Sequence, residues 1–117
     1  MPMAVVHVHG PLDHATSARL EAGIEQLWER VSGGCLVLDL QQVTFCDSTG
    51  LSRLITAFAD ARQRQTTLLL AALPLFLHRT LEPTGLTPFL PVRDSLAQAL
   101  SEAKARCAHT DGQQPSS

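Results

Sequence analysis

The feature that most constrains the fold is a single change of hydrophobic period within residues 35–62. Residues 36–40 form a nearly continuous apolar run, which is typical of a strand that is covered on both faces. After Phe45 the apolar residues recur at helical spacing and form one stripe: Leu51, Leu54, Ile55 and Phe58. A buried strand that leads directly into an amphipathic helix predicts one unit of a largely parallel α/β sheet.

The turn between the two periods reads Asp47-Ser48-Thr49-Gly50. Ser48 is the predicted N-cap of the helix, because its hydroxyl oxygen can accept a backbone N–H two or three residues on. A plain capped helix explains the carboxylate and the hydroxyls but not the glycine, since glycine in a helix costs about 0.5–1 kcal/mol relative to alanine. Gly50 therefore weakens the interpretation as a plain cap, and it allows another backbone or surface to come close to Ser48.

The flanking segments continue the alternation of strands and helices. Residues 4–9 alternate apolar and polar side chains, which predicts a half-buried strand. Asp13 or Thr16 then caps an amphipathic helix whose inner face carries Leu20, Ile24, Leu27, Trp28 and Val31. Further predictions are a strand over 66–72, a helix over 75–81, a short edge strand within 88–92 and a last helix capped by Asp94. This order predicts one α/β domain over residues 1–107, with a disordered polar tail over 108–117.

Composition excludes several classes of function. The chain has 117 residues, which is enough for one core, and a net charge of −2 with Lys104 as its one lysine. Only 4% of the residues are aromatic, so nucleic-acid binding is disfavoured. The longest apolar run contains Pro74 and is about half as long as a membrane span, and the N-terminus lacks the pattern of a signal peptide. We therefore expect a cytoplasmic protein without membrane insertion.

Two other kinds of site find little support in the sequence. His7 and His9 share one face of the first strand and could begin a zinc site, but no cluster of further ligands follows, and the cysteines form no C-x-x-C pair. Asp39 raises the alternative of a phospho-accepting aspartate, but it lies inside its strand, and no acidic pair near the N-terminus would hold magnesium. We expect neither a metal nor a cofactor.

Three motifs together resemble the STAS domain family. They are Gly10-x-Leu12-Asp13-x-x-Thr16, Phe45-x-Asp47-Ser48-Thr49-Gly50-Leu51 and Thr84-Gly85-Leu86. The resemblance covers roughly residues 5–105 and is nearest to the bacterial anti-sigma factor antagonists, also called anti-anti-sigma factors. It implies a small, mixed but mostly parallel sheet with about four helices packed mainly on one face.

The resemblance also implies a switch in place of catalysis. An unphosphorylated antagonist binds an anti-sigma factor, often a serine kinase, and so frees a sigma factor for transcription. The kinase phosphorylates the motif serine, the complex dissociates, and a metal-dependent serine phosphatase resets the antagonist. On this chain the implied phospho-acceptor is Ser48, and the implied partner-binding surface comprises Asp13, Thr16, Asp47, Ser48, Thr49 and Gly50.

The chain departs from the family pattern in two places, and two other functions compete. Members usually carry a further strand ahead of the one that ends in the Gly-x-Leu-Asp turn, and Pro11 replaces an acidic residue that is common after the glycine. One alternative is a STAS regulatory subunit of a membrane lipid transport ATPase. The other is a small hydrolase that uses Ser48 with His14, which is disfavoured because Cys46 occupies a glycine position of the nucleophile elbow.

Overall fold

The computed structural model describes residues 2–86, 88 and 90–113, with side chains up to residue 106. Four strands and four helices alternate along it: β1 (Met3–Leu12), α1 (His14–Val31), β2 (Cys35–Cys46), α2 (Ser48–Gln63), β3 (Thr67–Ala71), α3 (Leu75–Leu81), β4 (Val92–Arg93) and α4 (Leu96–Gln113). A 3₁₀ turn, Glu82–Thr84, follows α3. The described strands form one sheet in the order β1-β2-β3-β4, and every pair is parallel. The predicted α/β class is confirmed.

The central strand β2 divides the core into two layers, because successive side chains point to opposite faces of the sheet. Leu36, Leu38 and Leu40 are fully buried in the larger cluster, which also contains residues of α1, α2 and α3. Val37 lies in the smaller cluster, where Ala99 and Ala103 of α4 pack on the opposite face. Three helices therefore cover one face and α4 covers the other, in agreement with the expected arrangement.

The last strand and the last helix begin later than the sequence predicted. β4 starts at Val92, after Pro91, because proline has no N–H to give to a ladder. The N–H of Leu70 in the neighbouring strand β3 still donates to the carbonyl oxygen of Pro91, at 2.9 Å. Ser95 and not Asp94 caps α4, since the Ser95 hydroxyl oxygen accepts the N–H of the residue three positions on, at 3.0 Å.

Helix α4 extends beyond the predicted end of the domain. It runs to Gln113, whereas the sequence predicted a disordered tail from residue 108. Residues 108–111 contain neither glycine nor proline, so each can add a hydrogen bond to a helix that has already formed. The remainder of the predicted tail, residues 114–117, lies outside the described residues. The domain boundary at residue 107 stays a prediction.

Candidate functional site

The start of α2 is capped by Asp47, and the prediction that Ser48 is the N-cap is wrong. Asp47 has an extended backbone, and its Oδ1 accepts the N–H of Gly50 at 2.9 Å. Ser48 is the first residue of the helix and is exposed. Within the described part of the chain its hydroxyl forms no hydrogen bond. The motif therefore leaves Ser48 with an accessible hydroxyl that the fold does not use.

Gly50 lets the first turn of α2 approach the end of β1. A β-carbon at position 50 would overlap the carbonyl oxygen of Leu12 and would lie 2.9 Å from the Leu12 β-carbon. The same Leu12 carbonyl accepts the N–H of Asp47 at 3.2 Å. The close approach that Gly50 allows is therefore made by the end of β1 in the same chain. This contact with Leu12 joins the β1–α1 turn to the β2–α2 turn.

Asp13 and Thr16 form a capping box at the start of α1. The Thr16 N–H donates to Asp13 Oδ1 at 3.0 Å, and the Asp13 N–H donates to Thr16 Oγ1 at 2.9 Å. These bonds from the Thr16 backbone and side chain hold the pKa of the Asp13 carboxyl below its ordinary value. The Thr16 hydroxyl also donates to the Pro11 carbonyl at 2.6 Å. Of the two caps that the sequence allowed, Asp13 is the one used, and Thr16 supports it.

A shallow depression of about 280 Å³ lies along the exposed face of the first two turns of α2. Its lining carries hydroxyls and one guanidinium: Ser48, Thr49, Ser52, Arg53 and Thr56. Arg53 is about one-third exposed, and its Nη1 lies 2.6 Å from Oε2 of Glu21 on α1. Ser52, Arg53 and Thr56 were not predicted from the sequence, although their helical spacing from Ser48 and Thr49 places them on the same face of α2.

The hydrolase alternative requires Ser48 to act with His14. No hydrogen bond joins Ser48 to His14 among the residues that the structure describes. The thiol of Cys46 is poorly suited to act as a nucleophile. Burial, together with the adjacent Asp47 charge, raises the pKa of Cys46 to about 11. A thiol with this pKa stays protonated and weakly nucleophilic at neutral pH.

The other polar groups singled out by the sequence have structural partners. His7 Nδ1 lies 2.8 Å from Oδ2 of the buried Asp39, and His9 Nδ1 lies 2.9 Å from Oε1 of Gln42. Gly85 ends the 3₁₀ turn with φ of 72°, a left-handed conformation that favours glycine. The described residues contain no group of three or more His, Cys, Asp or Glu side chains that could hold a metal ion. They also contain no helix with the length and apolar character of a membrane span.

The structure thus brings part of the predicted surface together. Leu12 connects the Asp13 turn to the Asp47 turn, and only Ser48 and Thr49 of the predicted residues line the depression on α2. Asp13, Asp47 and Gly50 have hydrogen-bonding or packing roles within the fold. Their part in binding a partner stays a prediction.

Comparisons with known proteins agree on one family. The family model of the STAS domain matches residues 2–99. The anti-sigma-B factor antagonist of Listeria monocytogenes is 34% identical over 89 residues, which cover 76% of this chain and 77% of that protein. The anti-sigma F factor antagonist of Paenibacillus polymyxa is 28% identical over 98 residues, which cover 84% of each chain.

Solved structures share the fold. A sulfate transporter family protein from Wolinella succinogenes superposes with a TM-score of 0.77 at 24% identity, over 88% of this chain and 85% of that one. The anti-sigma factor antagonist SpoIIAA in its unphosphorylated form gives a TM-score of 0.73 at 16% identity, over 90% of this chain and 91% of that one. The family match over most of the chain, together with this shared fold, shows that the protein belongs to the STAS domain family.

Proposed function

We propose that the protein is an anti-sigma factor antagonist whose binding is switched by phosphorylation of Ser48. It acts in the cytoplasm as a binding module and not as an enzyme. Unphosphorylated, it sequesters an anti-sigma factor that is a serine kinase, and so frees a sigma factor for transcription. The names of the relatives from Listeria and Paenibacillus support the antagonist role. The observation that carries the switch is the exposed Ser48 hydroxyl without a hydrogen bond at the first residue of α2.

The switch requires two reactions at one oxygen. The partner kinase transfers the γ-phosphoryl group of ATP to Ser48 Oγ, which loses its proton, and ADP leaves. A metal-dependent serine phosphatase then hydrolyses the phosphoserine with water and returns the hydroxyl. Both enzymes need access to Oγ, which the exposed position of Ser48 provides.

Phosphorylation should leave the fold intact. A phosphate adds about −1.5 to −2 charge at pH 7. At the start of α2 the free backbone N–H groups and the helix dipole favour an anion, which contributes about 0.3–1 kcal/mol at an exposed position. Arg53 lines the same depression, but its guanidinium is already paired with Glu21. The free energy of unfolding should therefore change by less than about 1 kcal/mol.

The cost of the phosphate instead falls on the complex. In a complex that covers Ser48, the phosphate would lose water while it lies beside the Asp47 carboxylate. Like-charge repulsion and desolvation at an interface amount to several kcal/mol, which is enough to dissociate a complex of ordinary affinity. The same modification is thus tolerated by the free protein and rejected by the interface.

The experiment begins with a pulldown from the source cell, with wild type and Ser48→Asp as separate baits and mass spectrometry as the readout. A kinase-fold anti-sigma factor bound by wild type and lost with Ser48→Asp is the expected result. Ser101→Asp is the matched control, because Ser101 is exposed on α4, on the other side of the sheet. The purified partner and ATP should then phosphorylate wild type at Ser48, and leave Ser48→Ala unmodified.

Other outcomes would contradict the proposal. Equal capture of the anti-sigma factor by Ser48→Asp and by purified phosphoprotein would refute the switch while leaving the antagonist role. If both baits instead bring down a membrane transport ATPase, the protein is a regulatory subunit of that complex.

A further inference from the structure

The outer edge of β1 borders a groove of about 560 Å³. β1 is ten residues long and has β2 as its one neighbour in the described sheet. Four consecutive residues of β1, numbers 6–9, line the groove. Because successive side chains of a strand point to opposite faces, a groove that touches all four must run along the edge of the strand and reach its backbone. Backbone N–H and C=O groups at such an edge can pair with another strand.

One face of α1 forms the opposite wall. The lining residues of this helix recur every three or four positions: Thr16, Arg19, Leu20, Gly23, Gln26, Leu27 and Arg30. At 1.5 Å per residue this wall is about 20 Å long, which matches about six residues of an extended chain at 3.3 Å each. The groove therefore has the dimensions of one added strand.

Gly23 makes the groove deeper at its centre. It lies in the interior of α1, where glycine costs about 0.5–1 kcal/mol relative to alanine. No atom lies within 4 Å of the position that a β-carbon would occupy there, so close packing within the chain does not require the glycine. This contrasts with Gly50, whose missing β-carbon is explained by Leu12. An occupant of the groove would explain Gly23.

The charge of the groove indicates what it binds. Arg19 and Arg30 lie near its two ends, and its lining contains neither aspartate nor glutamate. Neither arginine forms an ion pair within the part of the chain that the structure describes. They lie about 16 Å apart along the helix, which falls between the separations of about 13 Å and about 20 Å for residues four and six apart on one side of an extended strand.

We infer that this groove binds an extended acidic segment of a partner protein. The segment adds a strand to the free edge of β1 and directs carboxylates at Arg19 and Arg30, while its apolar side chains face Leu20 and Leu27. Backbone pairing provides the affinity, and the arginines select acidic sequences. The inference does not depend on Ser48, which lies outside the groove.

The test is direct binding of a fluorescein-labelled peptide, measured by anisotropy with the full chain. The probe is about ten residues long and alternates valine and threonine, with two glutamates on one side. A matched peptide carries lysines in place of the glutamates. We expect the glutamate peptide to bind at least about ten-fold more tightly and to weaken at high salt. Backbone amide resonances of residues 6–9 should shift on binding, since these residues provide the edge.

Paired variants separate the groove from the rest of the surface. Gly23→Leu fills the groove and should lower affinity at least about ten-fold, whereas Ala22→Leu, at its exposed neighbour, should not. Arg19→Glu should weaken the glutamate peptide and favour the lysine peptide, whereas Arg62→Glu, exposed on α2, should change neither. Circular dichroism should be used to check that each variant is folded. If Arg19→Glu does not fold, Gly23→Leu still tests the groove, because the space around position 23 is open and can accept a side chain.

Three results would overturn the inference. The first is equal binding of the two peptides. The second is no binding of either one at about 1 mM. The third is self-association of the free chain that Gly23→Leu abolishes, because the groove would then hold a second copy of this protein.

Discussion

Replacing Gly50 with alanine tests whether the close approach of α2 to β1 holds the two turns together. The added β-carbon would overlap the Leu12 carbonyl oxygen and would lie 3.1 Å from Cys46 Sγ. The oxygen belongs to the backbone, so relief requires a shift of the strand end or of the helix. Such a shift would also lengthen the hydrogen bond from Asp47 N to Leu12 O, which measures 3.2 Å.

The expected magnitude follows from three opposing terms. Alanine gains about 1 kcal/mol over glycine in helix propensity. Overpacking costs about 1–3 kcal/mol, and loss of the Asp47–Leu12 bond costs about 0.5–1.5 kcal/mol. The net result for Gly50→Ala is a loss of about 0.5–3.5 kcal/mol in the free energy of unfolding, with a fall in Tm of roughly 4–8 °C for each kcal/mol lost.

Gly23→Ala is the matched control, because it makes the same chemical change inside a helix where the β-carbon meets open space. That variant should gain about 0.5–1 kcal/mol, so the two variants should differ by about 1–4.5 kcal/mol. Urea unfolding followed by circular dichroism measures both, with unchanged m-values as the sign that the same transition is compared. If Gly50→Ala unfolds at the same urea concentration as Gly23→Ala, the close contact with Leu12 does not constrain the fold and the reasoning is wrong.

Three further substitutions should change stability, each for a different reason. Gln65 follows α2 with φ of 55°, and the N–H groups of Gln65 and Thr66 donate back to carbonyls of the last turn, as in a Schellman motif. Because glycine adopts this left-handed conformation without strain, Gln65→Gly should raise the free energy of unfolding by about 1 kcal/mol. An unchanged urea midpoint would contradict this. Ser17 is fully buried, and its hydroxyl has no hydrogen-bond partner among the described residues. Ser17→Ala should therefore leave stability unchanged or raise it by up to about 1 kcal/mol, as measured by thermal unfolding. A clear fall in Tm would refute this. Arg93 and then Arg106 hold the pKa of Glu102 below its ordinary value of 4.5, so the ion pair stabilises the fold above that pH and the effect is lost as pH falls through the lowered pKa. Glu102→Gln should therefore flatten the fall in Tm below pH 4.5 and leave a constant loss above it; parallel curves for the two proteins would contradict the assignment.

Hydrophobic period was sufficient to predict the order of the elements. The helix predicted over 75–81 has the observed bounds Leu75–Leu81, because Pro74 before it and the turn after it stop the helix through local backbone chemistry. The bounds of β4 and α4 were missed because they depend on tertiary contacts. Arg93 both pairs with β3 and contacts Glu102 of α4, and neither partner can be recognised from sequence spacing.

The error at the start of α2 has the same origin. Asp47 and Ser48 are both good capping residues, so propensity alone does not choose between them. The choice is made by the bond from the Asp47 N–H to Leu12, which holds residue 47 in an extended conformation just before the helix. The sequence therefore placed the N-cap of α2 to within one residue. It could not assign the side chains at that site to their roles.

That assignment bears directly on how a switch can work here. Asp47 is used by the cap and Gly50 by the contact with Leu12, so a change at either one alters the scaffold. Ser48 contributes no hydrogen bond within the described residues, and its exposed hydroxyl can be modified or removed without loss of a scaffold contact. Had Ser48 been the cap, phosphorylation would have removed a helix-stabilising bond worth about 1 kcal/mol, and stability would have been coupled to signalling. With Asp47 as the cap, the free energy of a phosphate at Ser48 can act almost entirely on the interface with a partner.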